Sequence, residues 1–129
     1  MTPAPITLPD HTRGDTWVGI PTVGPIGVSG EFDEYLTPLG TTAISAKLHF
    51  IPVNGTTPVF RCETGGGGDA PILIVTAAPF WEFSVPPVSP TLFTLPVGNY
   101  IGMLQVTDSD GVKSTFHRYV LPIPFDNTL

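Results

Sequence analysis

Apolar and polar residues alternate along several short stretches of the chain, which is the pattern of β-strands with one buried face. The clearest stretch is Thr41–Val53. Its apolar positions, which we place in the core, are Ile44, Ala46, Leu48 and Phe50. The polar positions between them include Lys47 and His49, which we expect on the solvent face. This stretch therefore predicts a half-buried strand.

About seven short strands follow from the same reasoning. We predict them at Thr16–Ile20, Thr41–Val53, Val59–Glu63, Pro71–Thr76, Trp81–Val85, Asn99–Thr107 and Val112–Ile123. Residues 21–40 predict a long loop, with one weak edge strand near Ile26–Val28, because they are rich in Gly and Pro. Turn-forming residues separate the strands: Asn54-Gly55 indicates a hairpin, and Asp108–Gly111 indicates a tight turn with Gly111 at positive φ. Such spacing is typical of a sandwich or a small barrel.

Composition supports the all-β prediction and limits the size of the fold. The chain has 129 residues, which fits one domain. Its 16 prolines are spread along the whole length, and an interior proline costs a helix about 3 kcal/mol, so a helical bundle is excluded. Hydrophobic residues make up 41% of the chain, enough to build a core and to exclude a disordered protein.

The two ends of the chain differ from its body. Residues 1–12 contain Pro3, Pro5 and Pro9 among apolar residues, and they predict an extended arm outside the sandwich. We place the sandwich domain at 13–123 and a C-terminal tail at 124–129. The candidate assembly contacts on these ends are Ile6, Leu8 and Phe125. We expect the arm to pack on neighbouring subunits, and its deletion to leave the domain folded.

Charge narrows the possible partners. Five Lys and Arg residues stand against eleven Asp and Glu residues, which gives a net charge of −6. Nucleic acid and anionic membrane surfaces attract clustered cations, so neither is expected as a partner. The N-terminal sequence has neither a basic segment nor an apolar segment of a secretory signal, and no long apolar run predicts a membrane span. We therefore expect synthesis in a cytoplasm.

The sequence contains no strong motif for catalysis or for metal binding. The single Cys62 cannot form an internal disulfide and is expected to pack beside Phe60 in a strand. His49 and His117 fall on the predicted solvent faces of their strands. Asp108 and Asp110 resemble the start of a calcium loop, but the twelfth position, which should be Glu, is Tyr119. Carboxylates that could serve hydrolysis are scattered. We expect no enzyme activity, no metal and no cofactor.

Two tryptophans leave a second function open. Trp17 and Trp81 could form a platform on which a sugar ring stacks, as in a carbohydrate-binding module. The competing interpretation is that a small domain needs large side chains in its core. Trp81 alternates in phase with Phe83 and Val85, which favours the core, whereas Trp17 begins a predicted strand and could lie in either place.

An ordered set of short motifs runs through the body of the chain: Arg13-Gly14-Asp15-Thr16, Leu39-Gly40-Thr41-Thr42-Ala43, Gly98-Asn99-Tyr100, Asp108-Ser109-Asp110-Gly111 and Lys113-Ser114-Thr115. This set resembles the immunoglobulin-like β-sandwich of tailed-bacteriophage virion proteins, such as the N-terminal domain of upper baseplate proteins. The resemblance implies an Ig-like antiparallel sandwich and a non-enzymatic structural function in the tail, the baseplate or the capsid surface. The partners it implies are other phage structural proteins and further copies of the chain.

Overall fold

The computed structural model describes residues 5–26, 45–76, 81–107, 111 and 113–126. Within these ranges the regular structure is β-strand, apart from one 3-10 turn at Thr64–Gly66. The strands are β1 (Pro5–Thr7), β2 (Thr12–Arg13), β3 (Ile20–Ile26), β4 (Ser45–Pro52), β5 (Phe60–Glu63), β6 (Ala70–Pro71), β7 (Leu73–Thr76), β8 (Trp81–Val85), β9 (Gly98–Thr107), β10 (Lys113–Ile123) and β11 (Phe125–Asp126).

Six strands form the main sheet, in the order β1-β10-β9-β4-β5-β6. The central pairs are antiparallel, whereas β1 and β6 join the two edges in parallel. The hairpin predicted from Asn54-Gly55 is confirmed, since Phe50 pairs with Phe60 across β4 and β5.

A second sheet, of order β3-β8-β7, packs on the first. Leu48, Phe50 and Leu104 from the main sheet belong to the same buried cluster as Phe83 and Val85 from β8. Two sheets that share one apolar core form a sandwich, because each buries the apolar face produced by its alternating side chains. The all-β antiparallel sandwich predicted from the sequence is therefore confirmed, with Phe50 fully buried as expected.

The first strand of the second sheet begins later than predicted. Trp17 forms only an isolated bridge, in which its N–H and C=O exchange 2.9 Å hydrogen bonds with Val88. The regular strand is Ile20–Ile26; its first residue is the last of the predicted strand, and the rest lies in the segment predicted to be a loop. Its last residue, Ile26, is the first of the weak edge strand predicted near Ile26–Val28. It contains Pro21 and Pro25, which an edge strand tolerates because it needs ladder hydrogen bonds on one side only. The other predicted loop residues, the acidic segment Glu31–Glu34 among them, lie outside the described residues.

The N-terminal segment lies along the sandwich rather than extending from it. Pro5–Thr7 pair in parallel with Arg118–Val120, and the N–H groups of Leu8 and His11 donate to the carbonyls of Val120 and Pro122 at 2.8 and 2.9 Å. The C-terminal Phe125–Asp126 then pair with β2. From residue 5 onward the expected arm is thus an edge of the protein's own sheet. Residues 1–4 and 127–129 lie outside the described part.

A side-chain hydrogen bond lies at the entry into β9. The buried Tyr100 donates its hydroxyl proton to the carbonyl of Pro96, four residues earlier, at 2.6 Å. Gly98, between them, has a φ of +154°. The chain therefore turns into β9 through the motif Gly98-Asn99-Tyr100. At the other end of this strand, Gly111 has the positive φ of +82° that the predicted turn requires.

Candidate binding site on the main sheet

A groove lies on the outer face of the main sheet, opposite the core. Its volume is about 480 Å³. Because neighbouring residues of a strand point to opposite faces, the positions between the buried residues of β4 and β9 line it. The lining residues are Lys47, His49, Ile51, Pro52, Val53, Gly55, Ile101, Met103, Gln105 and Thr115.

One end of the groove is apolar. Ile51 pairs with Ile101 across β4 and β9. His49 pairs with Met103 in the next row whose side chains point to the same face. Met103 is 46% exposed and Val53 is 52% exposed. Since the solvent face of an antiparallel sheet is ordinarily polar, this group of exposed apolar side chains indicates a contact surface.

The other end of the groove is polar. Lys47 pairs with Gln105, which in turn pairs with Thr115 of β10. The imidazole Nε2 of His49 lies 2.8 Å from the Glu63 carboxylate, so this ring is held in one orientation beside the groove. Lys47 is exposed. The groove therefore offers an apolar floor with a cation and hydrogen-bonding groups beside it.

Positive charge is concentrated on this outer face. Cross-strand partners share a face, so Arg61, opposite His49, and Arg118, opposite Met103, lie on the same side as Lys47. Lys113, opposite Thr107, extends the set along β10. These four residues are all but one of the five Lys and Arg residues in the sequence. We call the groove and these four cations the basic face.

The side chain of Trp17 is not accessible to a glycan. Its side chain is only 2% exposed and is stacked on Phe93 with the ring centroids 4.6 Å apart. Phe50 and Phe60 meet the same indole edge to face. A ring enclosed on all sides cannot stack on a sugar, so of the two places left open for Trp17 the structure shows the core. The backbone of Trp81 belongs to β8, but its side chain lies outside the described part of the structure.

The three candidate assembly contacts have different environments. Ile6 lies on the edge strand β1 and is partly exposed, while Leu8 is half-buried against the core. Phe125 is 66% exposed, next to an ion pair in which Arg13 Nη1 is 2.9 Å from the Asp126 carboxylate. Of the three, Phe125 therefore presents the largest accessible apolar surface.

His117 does not lie on the solvent face that the sequence predicted for it. A β-bulge between Thr115 and His117 shifts the register against β9 by one residue. An extra residue reverses the facing of everything after it, so His117 turns into the core, 5% exposed and stacked on Tyr119. Burial lowers the pKa of this imidazole to about 4. Burial also lowers the pKa of His11, which packs on Phe93.

Cys62 is buried in the core, as predicted. Burial, followed by the nearby carboxylates of Asp69 and Glu63, raises the pKa of its thiol to about 12. The thiolate, which is the nucleophilic form, is therefore strongly disfavoured. Among the described residues no group of three or more His, Cys, Asp and Glu side chains is placed to hold a metal ion. Within the same ranges no helix has the length and apolar character needed to cross a membrane.

The groove was not identified from the sequence, although a signal for it exists. Around Met103, β9 has apolar residues on both faces, since Ile101 and Met103 alternate with the buried Gly102 and Leu104. A strand that is apolar on both faces at the centre of a two-layer domain must expose one of them.

Comparison with protein-family models, with curated proteins and with solved structures finds no match to the chain.

Proposed function

We propose that this protein is a non-enzymatic structural module that assembles into a larger particle through the groove of the basic face. The observation that carries the proposal is the exposed apolar group around Met103, on a sheet face that would otherwise be polar. Exposed apolar area rimmed by polar groups is typical of protein–protein contact sites.

Two structural features support an immunoglobulin-like connectivity. The strand order β10-β9-β4-β5-β6 against β3-β8-β7 corresponds to the order G-F-C-C′-C″ against B-E-D of variable-type immunoglobulin domains. The hydrogen bond from the Tyr100 hydroxyl to the Pro96 carbonyl, at the start of β9, has the position and the geometry of the tyrosine corner in such domains. These features agree with the fold implied by the sequence motifs.

The particle we propose is the virion of a tailed bacteriophage, in its tail, baseplate or capsid surface. The motif set described above supports this context, and Gly98-Asn99-Tyr100 is the part of it whose structural role is explained by the tyrosine corner. The partners would be other phage structural proteins and copies of the chain. The mechanism is surface complementarity, in which high local concentration in the particle strengthens individually weak contacts.

The test introduces Met103→Asp into the phage that encodes the protein and measures the abundance of the protein in purified particles by quantitative mass spectrometry. We expect at least about a tenfold loss, because the substitution removes the exposed Met103 side chain from the contact, and the new carboxylate, even beside Arg118, must lose water when the partner binds. Leu92→Asp is the matched control, since Leu92 is an exposed apolar residue in the turn between β8 and β9 and does not line the groove.

Normal incorporation of Met103→Asp would contradict the use of the groove. Absence of the wild-type protein from purified particles would contradict the structural role itself. Circular dichroism of both purified variants separates a contact defect from a folding defect.

A further inference from the structure

Charge is segregated on this molecule. The chain has a net charge of −6, yet Lys47, Arg61, Lys113 and Arg118 share one sheet face. Among the described residues, two carboxylates lie at the β5 edge of that face. Glu63 is paired with His49, and Asp69 accepts a 2.9 Å hydrogen bond from the Arg61 backbone N–H. Counted over the described residues, four cations face two carboxylates here, so the basic face is net positive.

An acidic surface with an exposed aromatic ring lies where the two chain ends meet. Here β2 pairs with β11, which presents Phe125 and Asp126. Asp10 and Asp15 are exposed on the segments that flank β2. The cation beside the three carboxylates of Asp10, Asp15 and Asp126 is Arg13, which pairs with Asp126. We call this surface, made of Asp10, Asp15, Phe125 and Asp126, the acidic end.

We propose that the acidic end of one copy docks on the basic face of the next, with Phe125 inserted into the apolar part of the groove. This inference rests on the proposed function and names the occupant of its contact surface. A buried phenylalanine contributes about 150–250 Å² of contact area, and the groove offers it the aliphatic side chains of Ile51 and Ile101 and the Met103 thioether, a favourable partner for an aromatic ring. The carboxylates beside Phe125 would meet Lys47 and Arg118.

Electrostatics also selects the symmetry of the contact. In a two-fold dimer formed face to face, each basic face would oppose a second basic face, and juxtaposed like charges disfavour association. The acidic end and the basic face are complementary but different surfaces, and we place one such contact between each pair of copies, which makes the contact heterologous. Heterologous contacts repeat from copy to copy and produce rings or filaments. The structure therefore favours head-to-tail association.

The experiment is sedimentation velocity on the purified full chain over a wide range of protein concentration, at low and at high salt. We expect the average mass to rise with concentration at low salt and to fall toward the monomer at high salt, because screening weakens the charge contacts. Phe125→Ala and Met103→Asp should each weaken self-association about tenfold or more, as substitutions at the centre of a contact do. Leu92→Ala should associate like the wild type.

Mixing the two variants tests whether the acidic end of one copy contacts the basic face of another. Phe125→Ala retains an intact groove, and Met103→Asp retains an intact Phe125. A mixture should therefore form a one-to-one complex that grows no further, which also shows that both variants are folded. A wild-type protein that stays monomeric at every concentration, or a mixture that does not associate, would overturn the proposal. If the pure protein is monomeric but Met103→Asp is still lost from particles, the head-to-tail contact fails and the proposed function stands.

Discussion

His117 should make the stability of this protein depend on pH between neutral and mildly acidic conditions. The β-bulge in β10 turns its imidazole into the core beside Tyr119, where only 5% of the residue is exposed. Burial disfavours the charged form, and the pKa of His117 falls from 6.5 to about 4. The perturbation we consider is protonation of this ring, compared with its replacement by side chains that cannot be protonated.

The sign follows from proton binding in the two states. Between pH 6.5 and pH 4 the unfolded chain binds a proton at His117 and the folded protein does not. Stability contributed by neutral His117 is therefore complete above pH 6.5 and is lost as the pH falls toward 4. At about 1.4 kcal/mol per pH unit, the loss amounts to roughly 3 kcal/mol, a large part of the 5–15 kcal/mol that stabilises a typical domain.

The assay is urea unfolding of the wild type, of His117→Phe and of His117→Gln at a series of pH values. The difference in unfolding free energy between the wild type and each variant should change by roughly 3 kcal/mol from neutral pH to pH 4, in favour of the variant. The other ionisable groups are the same in all three proteins, so their contributions cancel in this difference. If the difference is independent of pH, or only one variant shows the change, the burial argument for His117 is refuted.

Two further predictions concern the sandwich. Tyr100→Phe should lower the unfolding free energy by about 1 kcal/mol in urea titrations, because it removes the hydrogen bond to the Pro96 carbonyl and leaves the ring in place; an unchanged stability would show that this bond does not hold the entry into β9. Deletion of residues 1–12 should destabilise the domain by about 3 kcal/mol or more in calorimetry, since it removes β1, Leu8 and the His11 ring packed on Phe93; an unchanged melting temperature would restore the interpretation of this segment as an independent arm.

The strands of the core could be predicted because the alternation of apolar and polar residues in their sequence matches the alternation of buried and exposed side chains in the structure. In β4, Ala46, Leu48 and Phe50 are buried as their spacing indicates. In β9, Tyr100 and Leu104 have the same phase of the alternation, and both are buried. The cause is local: a strand with one apolar face has one favourable orientation against a core, and a slip by one residue would expose the whole apolar set.

The errors arose where pairing with distant residues overrides the local pattern. β3 contains Pro21 and Pro25, which predict a loop, and only its edge position makes a strand there possible. β1 is defined by its pairing with Arg118–Val120, more than a hundred residues away, and a proline-punctuated segment gives no sign of that partner. The bulge before His117 changes the facing of the residues that follow it, and nothing in their alternation marks its position.

The candidate site was predictable only in part. Lys47 and His49 were expected on the solvent face, and both line the groove. The concentration of cations could not be read from the sequence, where Lys47, Arg61, Lys113 and Arg118 are dispersed. They come together because antiparallel pairing places β5, β4, β9 and β10 side by side with these residues on one face. Long-range register converts scattered charges into one surface.

The sheet edges explain why a face rather than an edge should make the intermolecular contact. Within the described residues the two large sheets end in β1, β6, β3 and β7. The first three of these strands contain prolines: Pro5 in β1, Pro71 in β6, and Pro21 and Pro25 in β3. A proline hinders the addition of a further strand because it has no N–H to donate. β7 has no proline but is only four residues long. Backbone pairing with another chain is therefore restricted at the edges. Side chains on the broad outer face, where Met103 and the cations lie, remain the route by which the molecule can recognise a partner.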